Sequence, residues 1–491
     1  MPRYPSLYQV NTRVWLNAFS RTCGRQLTLA DIPDSEWDRL TELGVDWIWL
    51  LSVWQTGPMA RQVSLEHGAW RKEFQAALPD LTEADIGGSG FAIQNYTVAK
   101  ALGGDAALCQ ARDKLRQRGL RLMLDFVPNH MGLDHPWAEQ HPDYFVQGST
   151  NDLAQAPQNF VRMNLSGGDL IFAYGRDPFF SGWPDTLQLN YGNPALQTAM
   201  NAELQNIADR CDGVRCDMAM LLLPDVFERT WGIRMEPFWS QAIQQVRDRR
   251  SDFLFLAEVY WDLEWRLQQQ GFDYTYDKRL YDRLRNQQAE PVRDHLRADM
   301  DFQYRLARFL ENHDEPRAAS TFSAAQHEAA AIITYLTPGL RFFHQGQFEG
   351  FHQRVSPHLV RGPDEPTDAR LSQFYGRLRD VLRRPLVRDG DWWLLECSPA
   401  WHDNWTWNGF VAFVWSGRDG SRLAVVVNLA PHRSQCHVQL PFSDLRGGHF
   451  RLTDLINSGA YDWDGDHLAG KGLYVDLPEW GYHVLEIQRR G

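Results

Sequence analysis

Cysteine is scarce: six residues in 491, at Cys23, Cys109, Cys211, Cys216, Cys397 and Cys436. No two form a CxxC pair or a zinc-type spacing. A disulfide scaffold is excluded at this length, and mostly reduced, buried thiols in a cytoplasmic protein are expected. The chain also lacks an uncharged apolar run of ~18 residues, so no membrane span is expected. The opening MPRYPSLYQVNTRVWL lacks the basic-then-apolar order of a secretory signal. Positive charge is in deficit. Fifty Lys and Arg against 62 Asp and Glu leave a net charge of −12, a poor match for a polyanion, so nucleic acid is not expected as a partner. No internal repeat and no low-complexity segment is present. With 43% hydrophobic and 23% charged residues, disorder is excluded as well.

What the chain has in excess is aromatic surface: 20 Trp, 16 Tyr and 26 Phe. Flat rings pack cores, and they also stack on sugar rings or bases; the acidic charge argues against bases. Over roughly the first 380 residues short apolar runs alternate with helical stretches. The strands are read at Leu7–Trp15, Val45–Ser52, Arg121–Val127, Gly213–Cys216, Phe253–Ala257, Phe272–Tyr276, Phe309–Asn312 and Leu340–His344. Gly44 and Gly119 read as helix stops before two of them. Eight such units predict an α/β fold, a parallel (β/α)8 TIM barrel. Long loops are read at about 54–105 and 131–191. The expected domains are the barrel over 1–130 and 192–383, an inserted subdomain after strand 3 over 131–191, and a C-terminal antiparallel β-sandwich over 384–491.

In such a barrel the C-terminal strand ends face the active site. The third strand ends Asp125-Phe-Val-Pro-Asn129-His130, the fourth Arg215-Cys216-Asp217, the fifth Ala257-Glu258, and the seventh Asn312-His313-Asp314. A lone acid at a strand end often caps the next helix. Three acids on three strands, with His and Arg beside them, suit glycosidic bond cleavage. A glycosidic oxygen leaves only with a proton from a carboxylic acid, and the oxocarbenium-like sugar needs a carboxylate on its other face. A neighbouring negative group keeps the acid protonated near neutrality. Side chains two apart on a strand share a face, so Arg215 can hold Asp217 ionised and aimed.

The segments DFVPNH, GVRCD, FLAEV and ENHD resemble, in order and spacing, the four signature regions of the α-amylase superfamily, glycoside hydrolase family 13. GVDWIWLLSVW and PGLRFFHQGQ resemble its second- and eighth-strand regions. The resemblance implies Asp217 as nucleophile, Glu258 as general acid and then base, and Asp314 as stabiliser of the distorted sugar. It implies that His130 and His313 bind hydroxyls of that sugar, that Arg215 positions the nucleophile, and that Asp125 is mainly structural. GFAIQNY resembles the stretch that supplies a ring under the reacting sugar, here Phe91 in place of Tyr. Arg317 resembles an Arg that follows the seventh-strand Asp in exo-acting relatives; the alternative is a helix-surface Arg. Trp183, Trp261 and Trp265 are candidates for stacking on outer sugars, with packing as the alternative, and His344 reads as structural. Many relatives follow the nucleophile with Lys-His, and Met218-Ala219-Met220-Leu221 departs from that. In calcium-dependent members Asn129 would be a ligand, but its usual partner and any DxDxDG loop are missing, so no cofactor and no metal is expected. The implied activity is retaining hydrolysis of α-glucosidic bonds in an α-glucan or oligosaccharide. The alternatives are a glucosyltransferase or phosphorylase of the same fold and a non-catalytic sugar-binding protein.

Overall fold

The computed structural model describes residues 2–490. Eight parallel strands close into a barrel: β1 (Ser6–Asn11), β2 (Trp47–Leu51), β3 (Arg121–Phe126), β4 (Gly213–Cys216), β5 (Leu254–Ala257), β6 (Tyr274–Tyr276), β7 (Leu306–Arg308) and β8 (Leu340–His344). The hydrogen-bonded order is β1-β8-β7-β6-β5-β4-β3-β2. Strands buried on both faces read as continuous apolar runs; the five residues of β2 are all buried. This is the expected TIM barrel.

Two strands differ most from the sequence reading. The run Leu7–Trp15 is half strand: the Asn11 side chain accepts from Val14 N–H and opens a helix over Thr12–Cys23, an Asn N-cap overriding apolar continuity. The seventh strand is Leu306–Arg308, so Phe309–Asn312 lies beyond it. Its buried Arg308 is paired with Asp277 at 2.9 Å, and a charged residue conceals a buried strand.

The chain divides into two compact units, one of residues 8–276 and 354–364, the other of 1–7, 277–353 and 365–491. In the first, the segment read as a loop from 54 to 105 carries helices Pro58–Glu66 and Gly68–Ala77 and a strand, Ile93–Val98. Phe74, Leu78, Ile86 and Leu359 form a small core beneath it. The insertion after β3 holds a hairpin, Phe160–Leu165 with Gly168–Ala173. A second strand pair, His130–Gly132 with Thr186–Gln188, sets His130 opposite Gln188.

In the other unit the C-terminal strands start at Asp391 with β9 (Asp391–Leu395), β10 (Cys397–Pro399), β11 (Phe410–Ser416), β12 (Arg422–Asn428), β13 (Ser434–Val438), β14 (His449–Asp454), β15 (Ala460–Asp464), β16 (Leu473–Leu477) and β17 (Tyr482–Arg490). They form a six-stranded sheet, β9-β11-β12-β17-β14-β15, and a three-stranded sheet, β10-β13-β16. Ala412, Val426 and Leu485 from the first and Cys436, Val438 and Val475 from the second share one buried core, which makes the pair a sandwich. All six cysteines are free thiols, four of them buried. No helix among the described residues is long and apolar enough to cross a membrane.

Candidate active site

Parallel pairing fixes the first two acids. Arg215 on β4 stands opposite Asp125 on β3, and Cys216 stands opposite both Phe126 and Ala257. The ladder runs one residue past each strand: Asp217 N–H donates to Phe126 C=O at 2.8 Å, and Glu258 N–H donates to Cys216 C=O at 3.0 Å. The two carboxylates therefore hang from a rigid backbone at neighbouring strand ends. Arg215 lies two residues before Asp217 and on its side. Its Nη1 donates to Asp217 Oδ1 and its Nη2 to Glu258 Oε2, both at 2.7 Å. One guanidinium thus bridges both acids, with Asp125 3.9 Å away.

Three rings wall this cation: Phe91 at 5.2 Å, Trp49 at 5.4 Å and Tyr276 at 6.0 Å. Burial alone would depress the Arg215 guanidinium. The carboxylates around it, Glu258 first, then Asp217 and Asp125, hold it well above its ordinary value. Phe91 reaches this place because the turn before it lies tight against Ser52, where a Cβ on Gly90 would collide. Ser52 N–H and Trp49 Nε1–H donate to Asp125, at 3.0 and 3.1 Å. Burial pushes the Asp125 carboxyl up to about 7, and its bonds run inward to the β2 end, as suits a structural role.

Two residues at this centre had gone unread. Met218 takes a left-handed φ of 44°, which is uncommon for a residue with a side chain. That twist turns its N–H onto Glu258 Oε2 at 2.7 Å. Tyr260 OH donates to Glu258 Oε1 at 2.8 Å. Tyr260 stands three residues past the end of β5, where strand alternation gives no signal. Met218 carried none, since its part is played by backbone.

His130 is buried, and burial holds its imidazolium pKa below the ordinary value despite Asp217 nearby. The ring is therefore neutral at pH 7 and can donate and accept at sugar hydroxyls. Trp183 stands beside it, ring centroids 5.1 Å apart. Trp261 packs edge-on to the exposed Phe179 at 4.9 Å, and Trp265 is exposed. Trp261 and Asp262 both have positive φ, 64° and 61°, backbone strain close to Glu258 in sequence.

The remaining candidates belong to the other unit. After β7, the Asn312 side chain accepts from Asp314 N–H and Glu315 N–H at 2.8 Å each, a turn that leaves the Asp314 carboxylate partly exposed. The buried His313 Nε2 meets it at 3.1 Å. Arg317 is no surface residue. It is buried, pairs with Glu311 at 3.0 Å and donates to Gln345 C=O at 2.9 Å. Glu311 is itself pushed up to about 7 by burial, against the pull of Arg317. His344 is buried and held well below its ordinary pKa, by desolvation and then by Arg317 and His313.

The surroundings of Asn129 do not fit a calcium ion. Gln188 Nε2 donates to Asn129 C=O at 3.0 Å and to Asn129 Oδ1 at 3.1 Å, and Asn129 Nδ2 donates back to Gln188 Oε1 at 3.2 Å. An amide N–H stands where a hard cation would need oxygen ligands. Among the described residues no group of three or more His, Cys, Asp or Glu could hold a metal.

A family model for the α-amylase catalytic domain matches residues 34–391. An α-amylase, MalA, of Haloarcula japonica is 25% identical over 371 residues, 72% of this chain and 48% of that protein. Alpha-amylase 3 of Dictyoglomus thermophilum is 22% identical over 284 residues, 53% of each chain. A trehalose synthase/amylase of Mycobacterium tuberculosis is 26% identical over 241 residues, 46% of this chain and 34% of that protein. The chain thus spans about half or less of these relatives. Among solved structures, a maltogenic α-amylase of Thermotoga neapolitana has a TM-score of 0.70 at 16% identity, covering 99% of this chain and 98% of its own. An α-amylase of Geobacillus thermoleovorans in complex with acarbose has a TM-score of 0.68 at 18% identity, covering 100% and 99%.

Proposed function

The chain belongs to the α-amylase family of enzymes, and from that premise we propose that it is a retaining hydrolase of α-glucosidic bonds in α-glucans or malto-oligosaccharides. The observation that carries this reading is the Arg215 guanidinium bonded to two carboxylates from neighbouring strand ends. Asp217, bonded to Arg215, attacks the anomeric carbon as a carboxylate nucleophile. Glu258 gives its proton to the glycosidic oxygen, and the aglycone leaves as an alcohol. A covalent glycosyl ester on Asp217 results. Glu258, now a carboxylate, takes a proton from water, the water oxygen attacks the same carbon, and Asp217 is released. Two inversions retain the α configuration.

Arg215, Met218 N–H and Tyr260 fix where the Glu258 oxygens point, and most of the advantage of a bound reaction lies in such alignment. Phe91 offers a ring face without a hydroxyl. The neutral His130 takes a hydroxyl of the reacting sugar. The amide pair of Asn129 and Gln188 supports a reaction without calcium at that place. The exposed thiols Cys23 and Cys109 suit a reducing, cytoplasmic setting.

A second reading, glucosyl transfer to a sugar, polyol or phosphate, is favoured by the trehalose synthases among the relatives. A product profile on maltoheptaose, starch, maltose and sucrose separates the two, with Asp217→Asn as the inactive control. A ladder of malto-oligosaccharides, α-anomeric when first released, supports hydrolysis. Turnover that needs an acceptor supports transfer, and β-anomeric product would refute the double displacement.

A further inference from the structure

The unit of residues 8–276 and 354–364 contains a second cavity, of about 940 Å³, walled by the helix Thr12–Cys23, the turn around Thr56 and the short helix Lys100–Leu102. Its lining inverts the charge of the chain. Arg13, Arg21, Arg25, Arg61 and Lys100 face it, and none of the described lining residues is Asp or Glu, although acids outnumber bases in the chain. The two outer arginines pair across the exposed rim, Arg21 with Asp364 at 3.3 Å and Arg25 with Asp31 at 3.0 Å. Such pairs are weak and give way readily.

Among the described residues the inner two are held by neutral groups alone. Arg13 Nη1 donates to Gly88 C=O at 2.8 Å and its Nη2 to Thr56 Oγ1 at 3.2 Å. Arg61 Nε donates to Ile86 C=O at 2.9 Å and its Nη2 to Glu83 C=O at 2.8 Å. These bonds orient the guanidinium groups without cancelling their charge. Desolvation accordingly pulls Arg13 down to about 10. A half-buried cation with no counter-charge among the described residues is costly, and an anion in the cavity would relieve that cost. Guanidinium groups fit the paired oxygens of a phosphate. The volume is that of a small-molecule site, well beyond what a free oxyanion fills, and Leu16, Leu27, Leu102 and Val360 provide an apolar wall for the rest of the ligand.

We propose that this cavity binds a small phosphomonoester, a sugar phosphate by class, with the phosphoryl oxygens at Arg13 and Lys100 and the carbon body against Leu16, Leu102 and Val360. The sugar body rests on the proposed function, whereas the phosphate site rests on the cavity alone. Binding is read without turnover, so its failure and the failure of the hydrolase reading are separate results.

Calorimetric titration of the full chain with glucose 6-phosphate, glucose and inorganic phosphate tests it. Glucose 6-phosphate is expected to bind at least about tenfold more tightly than either of the others, and to weaken as salt is raised. Arg13→Gln and Lys100→Glu are each expected to lower that affinity by about tenfold or more. Arg13 also ties two loops, so its variant is read beside a thermal melt; Lys100 is exposed, and its variant stands if Arg13→Gln unfolds. Glucose binding equally well, inorganic phosphate matching the ester, or full affinity in a folded Lys100→Glu variant would overturn the proposal.

Discussion

Replacing Arg215 with lysine tests whether the bridge itself matters or only its charge. The guanidinium makes one 2.7 Å bond to each of two carboxylates in a place where its own side chain is 1% exposed. A charge-assisted hydrogen bond contributes about 1.5–3 kcal/mol. Lysine keeps the positive charge but presents a single point in place of a fork, so it can serve one acid well and not both. The loss of one bond and of the fixed spacing then amounts to about 2–4 kcal/mol, or roughly 30- to 1000-fold in kcat/KM. Because the bridge aligns groups that act in the transition state, the fall is expected in kcat with KM little changed. The assay is release of a chromophore from an aryl α-glucoside, run beside a thermal melt. Activity within about threefold of the parent, in a protein that melts at the parent temperature, would refute the argument. Arg215→Ala is the less informative change: it leaves three buried acids without their cation, a loss of about 3–5 kcal/mol in stability, and instability would obscure the chemistry.

Other outcomes follow from single contacts. Tyr260→Phe removes one donor from Glu258 and is expected to lower kcat by about tenfold or more with an unchanged melt; parent-level kcat would show that this bond does not aim the acid. Asp185 is buried, its Oδ2 has no hydrogen-bond partner among the described residues, and burial raises its carboxyl from 3.8 to about 7. A raised folded pKa means the stability from this group is present below about pH 4 and is lost as pH climbs through about 7. Asp185→Asn should therefore gain stability over the parent on going from pH 5 to pH 8, by about 2.6 kcal/mol, and equal differences in urea melts at both pH values would contradict this. EDTA is expected to leave activity and melting temperature unchanged; a loss restored by calcium would mean that an ion competes with Gln188 for Asn129.

The parts legible in the sequence were those with a short physical period. Gly213–Cys216 and Leu340–His344 were bounded correctly because each is a short segment entered directly from a helical stretch, although each carries one buried arginine. The pairing of Arg215 with Asp217 followed from the two-residue repeat of a strand, whereas Tyr260 lies beyond the end of β5, where that repeat no longer assigns a side. What escaped depended on local overrides or distant partners. An asparagine cap cut the first strand at Asn11. The seventh strand was hidden because Arg308 is neutralised by Asp277, 31 positions earlier. Arg317 could be read as a substrate-binding Arg or as a surface residue, because its partner Glu311 and its acceptor Gln345 come together only in the fold.

Asn129 sets the clearest bound on reading a site from a motif. In DFVPNH an asparagine before the histidine is compatible with a metal ligand or with a plain hydrogen-bonding group, and nothing within the motif separates these. The difference is made by Gln188, 59 positions away, which arrives by the strand pairing of His130–Gly132 with Thr186–Gln188. A carboxylate at that place would have added a hard oxygen ligand. An amide adds a donor, and its N–H closes onto both oxygens of Asn129. The insertion is thus tied to the end of β3 by neutral hydrogen bonds, beside a histidine that stays uncharged at neutral pH. A tie of this kind holds without a dissociable ion, so chelation and calcium depletion should leave the position of His130 undisturbed.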